Sequence, residues 1–114
     1  RPILAYCQEN EIDLLPGVMT PSDVDLALSY GFHTLKLFPA GDLPMGYIKS
    51  LKGPFDGTEY VAVGGVNLEN IRAFFDHGFI GAGIGSALTP KEAVQRGDWN
   101  RIEKIAAGYL SAIA

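Results

Sequence analysis

This chain has one cysteine, two histidines and no long hydrophobic run, and each scarcity closes off a class of function. A lone Cys7 cannot form an internal disulfide, so a reducing compartment and a cytoplasmic location are expected. Its helical-pattern neighbours favour a packed thiol over a nucleophile. His33 and His77 lie apart and no Cys/His cluster exists, so neither a metal nor a cofactor held by such ligands is expected. The apolar runs fall far short of a bilayer span and no signal-peptide pattern opens the chain, so no membrane partner is expected. Basic residues number 9 against 13 acidic ones, and a net charge of −4 argues against a nucleic-acid surface. A phosphate site survives that exclusion, because backbone amides bind phosphate without net positive charge. Low-complexity segments and linkers are also missing, so the 114 residues read as one domain or part of one. No methionine precedes Arg1-Pro2, which enters a helical pattern directly. The expectation is that residues 1–114 form a single partial domain of a longer polypeptide.

What is present is alternation. Residues 2–10 read as a short helix with Pro2 in its first turn and Asn10 as its stop. Leu14 to Val18 reads as a buried strand broken by Pro16-Gly17. Thr20-Pro21-Ser22-Asp23 opens the next helix, with Thr20 as N-cap and Asp23 completing a capping box, and Gly31 closes it. A strand over 34–38 follows, then a weaker helix around 46–52 and a strand over 60–63. Asn67 caps a helix whose Leu68, Ile71, Phe74 and Phe75 share a face, and residues 81–86 make the last strand and its outgoing turn. Helices over 90–96 and 98–113 finish the chain. In the second, Trp99, Ile102, Ile105, Ala106, Tyr109 and Ile113 form a stripe expected to pack into the core. Strands that alternate with helices lie parallel. They recur roughly every 20–26 residues, the spacing of a (β/α)8 barrel. Four units cannot close such a barrel. The chain is either a small open α/β sheet or the C-terminal half of a (β/α)8 TIM barrel.

The strand Thr34-Leu35-Lys36-Leu37-Phe38, closed by Pro39, carries the chemistry. Side chains alternate, so Leu35 and Leu37 face one way while Thr34, Lys36 and Phe38 face the other. On an edge strand Lys36 would simply point into water. On a central strand it would be desolvated and its pKa would fall, which supplies the free amine that a Schiff-base lysine needs. Ligands of parallel α/β folds sit at the carboxyl ends of the strands. Those ends read Pro16-Gly17, Phe38-Pro39, Gly64-Gly65 and Gly85-Ser86. The last two pairs are turns whose amides, with the Ser86 hydroxyl, could cradle a phosphate. Each pair alone is as well explained by a tight turn at positive φ. Two such pairs on the final strands, beside a lysine strand, point to one pocket.

Leu15-Pro16-Gly17-Val18-Met19-Thr20, Leu35-Lys36-Leu37-Phe38-Pro39-Ala40, Val63-Gly64-Gly65-Val66 and Gly83-Ile84-Gly85-Ser86 occur in an order and spacing that resembles one family. It is the class I 2-keto-3-deoxy-6-phosphogluconate (KDPG)/4-hydroxy-2-oxoglutarate (KHG) aldolases. Gly97-Asp98-Trp99 resembles that family's final-helix start. The resemblance runs over essentially the whole chain, and the lysine strand is its specific part. It implies a (β/α)8 subunit, usually a homotrimer, that needs no metal or cofactor and acts on a phosphorylated keto acid. Lys36 would form the Schiff base, and Phe38 and Val63 would border the substrate. Gly64, Gly65, Gly85 and Ser86 would hold its phosphate. Products would be pyruvate with glyceraldehyde 3-phosphate or glyoxylate. The family's proton-shuttling glutamate stands on an early strand, and no carboxylate here suits that role, since Glu69, Glu92 and Glu103 lie on expected helices. Many KDPG members carry threonine before the Gly-Gly turn. Val63 resembles the galactonate-branch enzymes instead, which leaves the C4 stereochemistry open.

Two other readings compete. One is a different phosphate-binding barrel in which Lys36 pairs electrostatically with a carboxylate or phosphate. The other is a non-catalytic phospholigand module that folds alone as a four-stranded sheet.

Overall fold

A computed structural model describes residues 2–114; Arg1 lies outside the described residues. Helix α1 (Pro2–Glu9) stops where the Asn10 side-chain amide donates to the Tyr6 carbonyl at 2.9 Å. It buries Cys7. Strand β1 (Gly17–Val18) is shorter than the expected 14–18. Pro16 has no N–H to give to the ladder, although its carbonyl still accepts from Lys36 N at 2.7 Å. Helix α2 (Pro21–Ser29) begins with the expected capping box: Thr20 Oγ1 accepts from Asp23 N, and the Asp23 carboxylate accepts from Thr20 N. It ends at Gly31, whose φ of +87° needs no Cβ.

Strand β2 (Thr34–Leu37) ends one residue before Phe38, and a 3-10 turn (Ala40–Asp42) leads on to α3 (Tyr47–Lys52). Strand β3 (Glu59–Val63) starts one residue earlier than expected, because Glu59 N donates to His33 O at 2.9 Å. Helix α4 (Ile71–Asp76) starts later than the position of Asn67 suggested. Asn67 instead holds a turn, its Oδ1 accepting from Glu69 N and Asn70 N. Strand β4 (Gly81–Gly83), α5 (Lys91–Arg96) and α6 (Trp99–Ile113) complete the chain. Asp98 caps α6 by accepting from Arg101 N.

The four strands are parallel and lie in the order β1-β2-β3-β4. One face is sealed by helices. Leu35, Leu37, Tyr60 and Ala62 point into it, against Val24, Ala27, Ile48, Leu51 and Phe74. Burying a leucine fully is worth roughly 1.5–3 kcal/mol, so Leu35 and Leu37 anchor β2 in this layer. Phe74 and Phe79 close it edge to face, with ring centroids 5.4 Å apart. Tyr109, Ile105 and Ile113 of α6 join the core, but Trp99, expected there, is 63% exposed. It sits in the first turn of α6, beside Gly97 and beyond the reach of the sheet.

The opposite face of the sheet stays partly exposed along its length, with Lys36, Val61 and Val63 on it. In a closed (β/α)8 barrel that face is the interior.

Candidate active site

Lys36 projects from the open face at the centre of β2, paired in register with Gly17 on one side and Val61 on the other. The alternation that sends Leu35 and Leu37 under the helices leaves Lys36 no choice of face. Gly17 clears its path: a Cβ there would lie 3.2 Å from Lys36 Cε and 3.9 Å from Nζ. On the other flank, Nζ stands 5.6 Å from the centroid of the Phe38 ring. Lys36, Phe38, Gly17, Val18, Met19 and Asp23 line one small cavity of about 300 Å³.

Phe38 also borders a second, larger cleft of about 650 Å³. Its other walls include Val63, Gly64, Gly65, Gly85 and Ser86. The seven residues singled out from the sequence therefore fall in two adjoining hollows at the carboxyl ends of the strands, with the Phe38 ring shared between them.

The two glycine pairs have different reasons to be glycine. Gly64 and Gly65 both adopt positive φ, +94° and +73°. A Cβ on Gly64 would meet the Phe38 ring at 2.8 Å. Gly65 in turn packs on Gly41, which sequence reading passed over: a Cβ at Gly41 would come within 2.9 Å of Gly64 O and of Gly65 Cα. Gly41 N donates to Gly64 O at 2.7 Å, and Asn70 Nδ2 donates to Gly65 O at 2.9 Å. The loop after β2 is thus locked against the turn after β3. At Gly85 nothing lies within 4 Å of a would-be Cβ, so the fold places no steric demand on that position.

Asp23 is the one carboxylate lining the Lys36 cavity, and its position there was not foreseen. Backbone amides of Thr20 and Met19 donate to it and hold its carboxyl below the usual range. A carboxylate so occupied makes a weak proton acceptor. The Tyr47 hydroxyl donates to the Met19 carbonyl at 2.6 Å, a link between positions 28 apart that no local pattern signals. Among the described residues no cluster of His, Cys, Asp and Glu could hold a metal ion. Among the same described residues no helix is long and apolar enough to cross a membrane.

Four parallel strands with crossover helices, sealed on one face and carrying their hollows at the strand ends, define one half of a (β/α)8 barrel. Residues 1–105 match the family described as KDPG and KHG aldolase, and the chain belongs to that family. It is 32% identical to the 2-dehydro-3-deoxy-phosphogluconate aldolase of Pseudomonas aeruginosa, over 98% of this chain and 51% of that one. A solved KDPG aldolase from Legionella pneumophila, with pyruvate captured as a covalent carbinolamine, matches with a TM-score of 0.81 and 31% identity. That match covers 92% of this chain and 52% of the other. A structure described as native KDPGal matches at 0.80 and 31%, over 96% and 52%. The chain spans about half the length of the relatives it matches.

Proposed function

We propose that this chain is the C-terminal half of a class I aldolase barrel, with Lys36 as its imine-forming residue. The observation that carries the reading is the placement of Lys36. Of the chain's five lysines it alone stands on a strand, on the face that a closed barrel encloses, beside the space left by Gly17. The Legionella relative holds pyruvate as a carbinolamine, the first adduct of an amine and a ketone.

The Lys36 amine adds to the C2 ketone of the keto acid and water leaves, which gives an iminium. The C3–C4 bond then breaks. Its electrons pass into the iminium to form an enamine, and the C4 hydroxyl loses its proton as the aldehyde departs. Protonation at C3 and hydrolysis release pyruvate and restore Lys36. The proton acceptor belongs to the other half of the barrel, because Asp23 is held as a helix cap.

The substrate phosphate is assigned to Gly64, Gly65, Gly85 and Ser86. Neighbouring strands lie ~4.8 Å apart, so β4 stands about 10 Å from β2, a span that suits C2 and a C6 phosphate of one six-carbon chain. Val63 lines this cleft with methyl groups rather than a hydroxyl, and comparing kcat/KM on KDPG and on its alternative, 2-keto-3-deoxy-6-phosphogalactonate, decides the C4 preference. The complete protein is assigned as a homotrimer, which light scattering checks.

The test of the central claim is reductive trapping. Pyruvate and borohydride should leave a stable adduct that peptide mass spectrometry places on Lys36. Lys36→Arg should abolish it, since guanidinium stays protonated. An adduct on Lys49 or Lys52, or on no lysine, would overturn the assignment.

A further inference from the structure

The Gly64-Gly65 turn spends both of its carbonyls outside the cleft that it borders. Gly64 O accepts from Gly41 N at 2.7 Å, and Gly65 O accepts from Asn70 Nδ2 at 2.9 Å. Neither donor residue lines the cleft, whose walls come from the ends of β3 and β4 and from the Phe38 ring. In a trans peptide the C=O and the following N–H point in opposite directions. Tying the Gly64 carbonyl to the loop after β2 therefore turns the Gly65 N–H toward β4. Tying the Gly65 carbonyl to Asn70 turns the Val66 N–H away from Asn70. Among the described residues neither N–H donates to another protein group, and both Gly65 and Val66 line the cleft.

Such a turn has to be held. Gly64 and Gly65 stand at positive φ, and glycine peptides rotate with little steric resistance. A flipped Gly65–Val66 peptide would present a carbonyl where an anion needs an N–H. The Asn70 side chain opposes that flip with both ends of its amide: Nδ2 donates to Gly65 O, and Oδ1 accepts from Asn67 N at 2.8 Å. One amide brackets Val66 as a neighbouring strand would.

We infer that Asn70 is a positioning residue for the substrate phosphate: its amide keeps the Val66 N–H turned into the cleft as a donor, beside the Gly65 N–H that Gly41 holds. The inference rests on the aldolase reading and the phosphate assignment above. It adds Val66, through its backbone, to the groups that meet the phosphate.

The experiment measures kcat and KM of the complete barrel on its preferred phosphorylated keto acid and on 4-hydroxy-2-oxoglutarate, with circular dichroism as a check on folding. Asn70→Ala should raise KM for the phosphorylated substrate about three- to tenfold, because a donor to a charged group is loosened rather than removed. KM for the phosphate-free substrate should stay within about twofold. Asn70→Ser supplies a good helix-start residue that is too short to reach Gly65 O, so it should show the same rise even if the alanine variant fails to fold. Equal rises on both substrates overturn the inference, and so does a serine variant with the parent's KM, which would make Asn70 a helix-start residue only. A KM that moves with Ser86→Ala but not with either Asn70 variant sinks this inference alone. If neither position affects KM, the phosphate assignment falls with it. A parent that forms no pyruvate adduct on Lys36 overturns the aldolase reading itself and this inference with it.

Discussion

Gly17 and Lys36 face each other across the β1–β2 ladder, and the missing Cβ of the first is the space occupied by the second. The gap is narrow, since a Cβ would stand 3.2 Å from Lys36 Cε. A single methyl group there must push a lysine stem aside by a few tenths of an ångström.

Gly17→Ala should therefore reduce kcat/KM about tenfold with little change in stability, because misplacing a reacting group by ~1 Å can cost 10²-fold and this shift is smaller. Gly17→Val should cost more, since its branches meet the ammonium itself. Steady-state kinetics alongside urea unfolding separates the two effects. Loss of stability in step with activity would show that Gly17 serves the fold rather than the lysine.

Gly85 and Ser86 should respond differently from Gly64 and Gly65. Gly85 has open space around it, so Gly85→Ala should leave unfolding unchanged yet raise KM for the phosphorylated substrate. Ser86→Ala should raise that KM about tenfold, the effect of losing one hydrogen bond to a charged group. Cleavage of 4-hydroxy-2-oxoglutarate, which has no phosphate, should change less in both. Gly64→Ala should instead destabilise the protein by about 1–3 kcal/mol, because its Cβ strikes the Phe38 ring at a positive φ. Equal losses on both substrates at Ser86 would make that residue structural.

The Asp23 cap carries a pH signature. Its carboxyl is held below its ordinary value of 3.8 in the folded chain by the Thr20 and Met19 amides. A depressed folded pKa contributes stability that is complete above the unfolded value and fades as pH falls through the folded one. Asp23→Asn should cost about 1 kcal/mol or less at pH 7, given how exposed the group is, and that difference should begin to fade near pH 3.8 and shrink further as pH falls through the lower folded value. Thermal melts of the two proteins from pH 7 to pH 3 provide the check. A difference that persists in acid would mean that the side chain acts through packing.

Strands β1 and β4 each leave one edge unpaired, and the face that carries Lys36 has no covering layer. The 114-residue chain alone should therefore self-associate and turn over slowly. Supplying the complementary half-barrel as a second chain should give one discrete species and restore aldol cleavage. Sedimentation velocity and pyruvate release report the two outcomes. A monomeric, cooperatively folding chain active at the rate of the complete barrel would contradict the half-barrel proposal.

Sequence alone settled whatever depends on period and on local chemistry. The alternation of Leu35 and Leu37 with Lys36 fixes which face the lysine takes, because a strand turns successive side chains to opposite sides. Thr20-Pro21-Ser22-Asp23 specifies a helix start because the cap's donors and acceptors lie within four residues. The four strands and their parallel order follow from helices that alternate with them. Element ends were less legible: α4 starts late because Asn67 spends its side chain on a turn, and β1 is cut short by Pro16.

Contacts between segments distant in the chain were decided only by the tertiary structure. Gly17 makes room for Lys36, Gly41 locks against Gly64 and Gly65, and Tyr47 pins Met19. None of these has a period or a motif, since each joins residues far apart in the chain that meet only once the sheet has formed. The same holds for Trp99, which shares the apolar stripe of α6 yet lies at the end of that helix that the sheet does not reach. A helical pattern shows which side of a helix is apolar. Only the packing of the other elements decides how much of that side is covered.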